Sequence, residues 1–119
     1  MKYIKIILSA VILTFLFSSV SFGHSAPGIL FEGSVSQGTT HRHSIHADAG
    51  QKLDISIKSP ENNAVFVIYK PKSNRTIKGA GAIDETRKWT GTVSESGEYT
   101  MVVGSTKGKA VYKIAVDVK

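Results

Sequence analysis

Apolar and polar residues alternate along most of this chain, and a two-residue period suits only a strand with one face buried and the other in water. Leu53, Ile55 and Ile57 are interleaved with Lys52, Asp54, Ser56 and Lys58. Tyr112, Ile114, Val116 and Val118 are interleaved with Lys113, Ala115, Asp117 and Lys119. Residues 64–69 are apolar on both faces, as a central strand is, and Tyr99, Met101 and Val103 alternate with Thr100 and Val102. Weaker strand patterns cover residues 29–35, 39–47, 75–78 and 87–93, and no amphipathic helical stretch interrupts the series. Turn residues separate these runs at Gln37-Gly38, Ala49-Gly50, residues 60–63, 71–74 and 79–81, Ser96-Gly97, and residues 104–108. About eight short strands at this spacing predict an all-β fold, a single antiparallel β-sandwich of jelly-roll-like kind. Leu53, Ile55, Ile57, Trp89, Tyr112 and Ile114 are its expected core.

The first residues predict export. Lys2 and Lys5 precede an apolar run at residues 6–17, followed by a segment rich in small and polar residues, Ser18, Ser19, Val20, Ser21, Phe22 and Gly23. That run falls short of the roughly 20 residues a spanning helix needs and reads as a signal peptide. Ser21 and Gly23 fit the small-residue preference at a cleavage site, so residues 1–23 are expected to be removed and residues 24–119 to form the one domain. Cleavage after Ala26 is disfavoured by Pro27. With no cysteine in the chain, disulfides, a thiol nucleophile and a lipid-modified N-terminus are all ruled out. Burial alone must hold the fold, at a size where one core suffices.

Loss of Lys2 and Lys5 takes two of the fifteen basic residues and none of the nine acidic ones, so the formal charge falls from +6 to +4. A basic exported protein favours anionic partners such as envelope polymers or an acidic protein. No basic run interleaved with aromatics marks a nucleic-acid surface, and none is expected in that compartment.

Ala49-Gly50-Gln51-Lys52-Leu53 with Ile55 and Ile57, then Trp89-Thr90-Gly91, Ser96-Gly97-Glu98-Tyr99, and Tyr112-x-Ile114-x-Val116 resemble the bacterial pre-peptidase C-terminal-like domain over nearly all of the mature chain. Single-domain, signal-bearing forms of that fold resemble periplasmic inhibitors of invertebrate-type and goose-type lysozymes. The resemblance implies that a Ser-Gly-x-Tyr loop, here Ser96, Gly97 and Tyr99, blocks the lysozyme cleft. Arg87, Lys88, Lys107 and Lys109 are the basic residues expected to flank it. The short segment 105–109 departs from the longer Arg-rich loop of those inhibitors. The positive net charge favours an invertebrate-type or goose-type target over the strongly cationic chicken type, because like-charged partners repel.

Two readings of the loop stand side by side. In one, Gly97 takes φ > 0 to make a protruding turn, and Ser96 or Tyr99 donates a hydrogen bond to a catalytic carboxyl group of the lysozyme. In the other, Gly97 merely turns the chain and Tyr99 is a core aromatic. The histidines form a second candidate group: His41 and His43 share one face of a strand and His46 points oppositely. His43 continues the inward series of Ile45 and Ala47, which makes it a stand-in for a core aromatic. With His24 as the mature N-terminus, its amine and imidazole together with His41 or His43 could chelate copper. The leading reading has no metal and no cofactor.

Catalytic motifs are missing. Residues 33–38 lack the spacing of a nucleophile elbow, Gly79-Ala80-Gly81 lacks the rest of a dinucleotide fingerprint, and residues 105–108 are no phosphate loop. The chain thus reads as a periplasmic or secreted lysozyme inhibitor and not an enzyme, with an envelope- or carbohydrate-binding module as the alternative and a copper-binding protein as the third. The intact mass of the exported form is expected to correspond to a chain starting at His24; a mass from any other start removes the copper reading's first ligand.

Overall fold

Alternation becomes strand at seven places in the computed structural model, which describes residues 28–119. The signal peptide, its cleavage point and His24 lie outside the described residues. The strands are β1 (Ile29–Ser36), β2 (His41–Ala47), β3 (Lys52–Lys58), β4 (Ala64–Tyr69), β5 (Lys88–Thr92), β6 (Gly97–Ser105) and β7 (Lys109–Val118). They make a four-stranded sheet in the order β1-β7-β3-β5 and a three-stranded sheet in the order β2-β6-β4, every pairing antiparallel. This is the expected β-sandwich.

The inner faces hold every second residue, as the pleat requires. Leu53, Ile55 and Ile57 from β3 and Tyr112, Ile114 and Val116 from β7 meet Phe66 and Ile68 from β4 and Tyr99, Met101 and Val103 from β6. Trp89 alone among the expected core residues is only half-buried. It sits on β5, an edge strand, where its ring lies along the strand over Gly91 and packs on the core from the rim. Its indole N–H donates to the Lys78 carbonyl at 3.0 Å.

The expected eighth strand at residues 75–78 does not form a ladder. Its stretch of chain instead follows the outer edge of β4 by separate bridges, Thr76 to Tyr69 and Thr86 to Phe66, with amide bonds between Ile77 and Ile68 and between Ile68 and Ala80. Between these contacts a turn closed by the Asp84 carboxylate on the Gly81 amide, at 2.7 Å, lifts the chain off the edge. The pleat is broken, yet Ile77 and Ala80 are buried and the β4 edge is covered, which keeps it from pairing with another chain.

Strand register gathers the connections at two ends. At one end lie the β1–β2 turn, the β3–β4 loop and the β6–β7 hairpin, stitched by buried Asn63, whose side-chain amide donates to the carbonyls of Lys107 and Lys109 at 2.9 and 3.1 Å. At the other lie the β2–β3 turn and the β5–β6 loop. Nine-residue β6 runs between them, so the two ends stand about 30 Å apart.

Truncating a core side chain should cost far more than truncating an outer one of similar size. In urea denaturation, Ile55→Ala is expected to lose about 2–5 kcal/mol, whereas Val111→Ser, on the outer face and 56% exposed, should change stability by no more than about 0.5 kcal/mol.

Candidate functional site

The β5–β6 loop, residues 93–96, together with Gly97 at the start of β6, is fixed from both sides. Its neighbour is the β2–β3 turn: the Gly50 amide donates to the Val93 carbonyl at 2.8 Å and the Val93 amide donates to the Gln51 carbonyl at 2.9 Å. The Ala49 amide donates to the Ser96 hydroxyl oxygen at 2.8 Å. Gly97 adopts φ +145°, and a side chain on it would meet Pro71 at 2.8 Å, so only glycine fits between the loop and the chain leaving β4.

Tyr99 resolves the two readings of the loop into a division of labour. Two residues into β6 it faces inward, is 2% exposed, and its hydroxyl donates to the Glu95 carbonyl at 2.6 Å. Burial raises its pKa. The ring is therefore a core anchor that holds the loop from below, and the expectation that its hydroxyl meets a partner is corrected: an inward position on β6 spends that proton inside the molecule. Ser96 remains at the surface. Its oxygen accepts from Ala49, so its own O–H is still free to donate, and accepting a bond makes a hydroxyl a better donor.

The basic residues expected to flank this loop are elsewhere. Lys107 and Lys109 border the β6–β7 hairpin at the far end of β6, and the Arg87 guanidinium donates to the Asn62 carbonyl in the β3–β4 loop at 2.8 Å, also at that far end. Lys88 opens β5 opposite Ser56, again toward that end. What does adjoin the loop is an acidic group that alternation could not show. His46 and Glu98 are cross-strand partners, and the imidazole sits between Glu98, 3.2 Å from Nδ1, and Asp48, 3.0 Å from Nε2. The Asp48 hydrogen bond, seconded by Glu98, raises the His46 pKa. Finding this trio required the β2–β6 register.

His41 and His43 do share a face, as expected, and it is the inner face of the edge strand β2. His43 stacks on Phe31 of β1 with ring centroids 4.5 Å apart and interplanar angle 26°. Its Nε2 lies 2.7 Å from the Tyr112 hydroxyl, and Nδ1 of His41 lies 3.3 Å from the same oxygen. Burial, helped by the neighbouring His41, lowers the His43 pKa. His43 thus takes the place of a core aromatic at the rim of the sandwich. Beside the loop, a cleft of about 220 Å3 is bordered by Lys70, Trp89, Ser94 and Tyr99, smaller than ordinary small-molecule sites.

No protein-family model matches the chain, and no curated protein does. Solved structures do match. The periplasmic inhibitor of g-type lysozyme PliG from Aeromonas hydrophila superposes with a TM-score of 0.63 and 24% identity, over 84% of this chain and 93% of that one. A mutant of the Escherichia coli PliG gives 0.59 and 16% identity, over 84% and 95%. The Salmonella Typhimurium PliG gives 0.57 and 18%, over 76% and 89%. The chain has the fold of these three proteins along nearly their whole length.

Proposed function

We propose that this protein is a periplasmic inhibitor of g-type lysozyme, acting by binding and not by catalysis, and that it meets the enzyme with the end of the sandwich that carries the β5–β6 loop. The observation that carries this reading is the end-to-end likeness to three structures, each described as a periplasmic inhibitor of g-type lysozyme. Loop geometry supports it independently. A wedge that blocks a cleft must already be ordered, since ordering a loop on binding subtracts from affinity, and residues 93–97 are tied to the β2–β3 turn and to the core before any partner arrives.

Ser96 is the residue assigned to the contact, because it is the exposed hydroxyl of the loop with a free proton and a fixed oxygen. Glycosidase clefts present carboxyl groups as acceptors. Gly97 and Tyr99 act from behind: the first makes the turn, the second anchors it. Arg87, Lys88, Lys107 and Lys109 have no part in this contact, lying toward the opposite end.

The test is a turbidity assay against goose-type, invertebrate-type and chicken-type lysozymes. Wild type is expected to inhibit the goose-type enzyme. Ser96→Ala should lower stability by no more than about 1 kcal/mol, yet weaken inhibition about tenfold to a hundredfold, the worth of a hydrogen bond to a charged group. Tyr99→Phe should lower the melting temperature and weaken inhibition in step with it, while Lys107→Glu combined with Lys109→Glu should inhibit like wild type. Wild type that inhibits none of the three enzymes ends the proposal in favour of an envelope-binding module; a normal Ser96→Ala ends the assignment of the loop.

A further inference from the structure

We propose that His41, His43 and Tyr112 form a binding site for one divalent late transition-metal ion, copper(II) foremost, on the rim of the sandwich between β1 and β2. The observation is a convergence. Two imidazole nitrogens, Nδ1 of His41 and Nε2 of His43, are aimed at a single oxygen, the Tyr112 hydroxyl, at 3.3 and 2.7 Å. Donor atoms that each sit about 2 Å from a metal sit about 3 Å from one another, and these two separations straddle that value. Among the described residues no three His, Cys, Asp or Glu side chains gather to hold a metal; here the third donor is a phenol.

Each element places its donor for a local reason. Alternation puts His41 and His43 two residues apart on one face of β2. Stacking against Phe31 fixes the plane of the His43 ring, as outer-shell contacts do for metal-binding imidazoles. Gly33 of β1 leaves the room in which the Tyr112 ring lies, for a side chain there would come within 2.8 Å of the hydroxyl. Tyr112 is buried, His43 half-buried and His41 exposed, so the set has a rigid floor and an open, adjustable lip through which an ion enters and a water can complete the coordination. A single hydroxyl proton cannot serve two imidazoles as donor, so in the metal-free protein the hydroxyl donates to one ring and accepts from the other. A cation seated between the three atoms, about 2 Å from each, would replace both hydrogen bonds, the phenol proton passing to water as the metal–oxygen bond forms. Two imidazoles and one oxygen suit copper, nickel or zinc, and among these a given site of this kind binds copper(II) most tightly.

The experiment is calorimetric titration of the mature protein with copper(II) in a non-coordinating buffer, carried out in a His24→Ala background so that the chain terminus does not compete. One ion per chain is expected, with Kd at or below about 1 μM, together with a phenolate-to-copper charge-transfer band in the visible spectrum. His41→Ala and His43→Ala should each weaken binding at least tenfold, Tyr112→Phe should abolish the band, and His46→Gln, which changes the histidine on the opposite face, should bind as its parent does. Should His43→Ala fold poorly on thermal melting, the exposed His41→Ala carries the test by itself. Binding that is absent, or equally tight in His41→Ala, overturns the site; binding by the histidines without the band overturns the part given to Tyr112.

Discussion

A single layer of interdigitated apolar side chains is what chiefly holds the two sheets together, since the chain has no cysteine and hence no disulfide between them. In such a sandwich the register of each strand is set by which of its residues fit that layer, and a slip of one residue would turn an entire inward set to solvent. Everything of functional interest hangs on that register. The position of Tyr99 as an inward residue of β6 fixes where the hydroxyl bond to Glu95 forms, and so where the β5–β6 loop leaves the body. The pairing of β2 with β6 places His46 opposite Glu98. The pairing of β1 with β7 sets Gly33 opposite Tyr112 and brings the phenol out to the rim where His41 and His43 wait.

The two ends of the sandwich are built to different purposes with similar means. At the hairpin end, Asn63 uses its buried side chain to join a loop to a hairpin by donating to the carbonyls of Lys107 and Lys109. At the loop end, the ties between residues 48–51 and 93–97 are mostly backbone bonds near the surface, and they order a segment that has few core contacts of its own. Ordering a surface segment costs conformational entropy with little burial to offset it. Such an arrangement has a physical rationale when the ordered shape is itself what a partner meets.

How much of this was legible in the sequence follows from the range of each interaction. Residues 53–57 and 112–118 announce their strands because alternation is local, and the buried positions of Leu53, Ile55, Ile57, Tyr112 and Ile114 come with it. Trp89 is only half-buried because β5 lies at a sheet's edge, and that is a matter of topology, not of the strand's own residues. Residues 75–78 look like a strand by composition; what denies them a ladder is the Asp84-capped turn downstream and their place outside β4. The loop motif was visible as Ser-Gly-x-Tyr, but which hydroxyl faces out depends on the inward parity of β6, and the meeting of His41, His43 and Tyr112 joins residues about seventy positions apart in different sheets. No spacing rule reads across that distance.

The same distinction bears on electrostatics. Net charge, read from sequence, argued against a strongly cationic target, yet a partner docked at one end of the molecule does not feel the whole of it. At physiological ionic strength charges are screened over about 8 Å, and the basic residues of the hairpin end lie several such lengths from the loop. The loop and the turn bonded to it carry Asp48, Glu95 and Glu98 and no lysine or arginine, with His46 shared between two of the carboxylates. Lys70 and Lys72, on either side of the Pro71 that backs Gly97, offset part of this acidity. Lys52, the residue after that turn and the cross-strand partner of Thr92, adds a further cation, so charges of both signs surround the loop. A partner docked at this end would meet that local mixture of charges more than the net charge of the whole molecule, because charges at the far end are screened before they reach it.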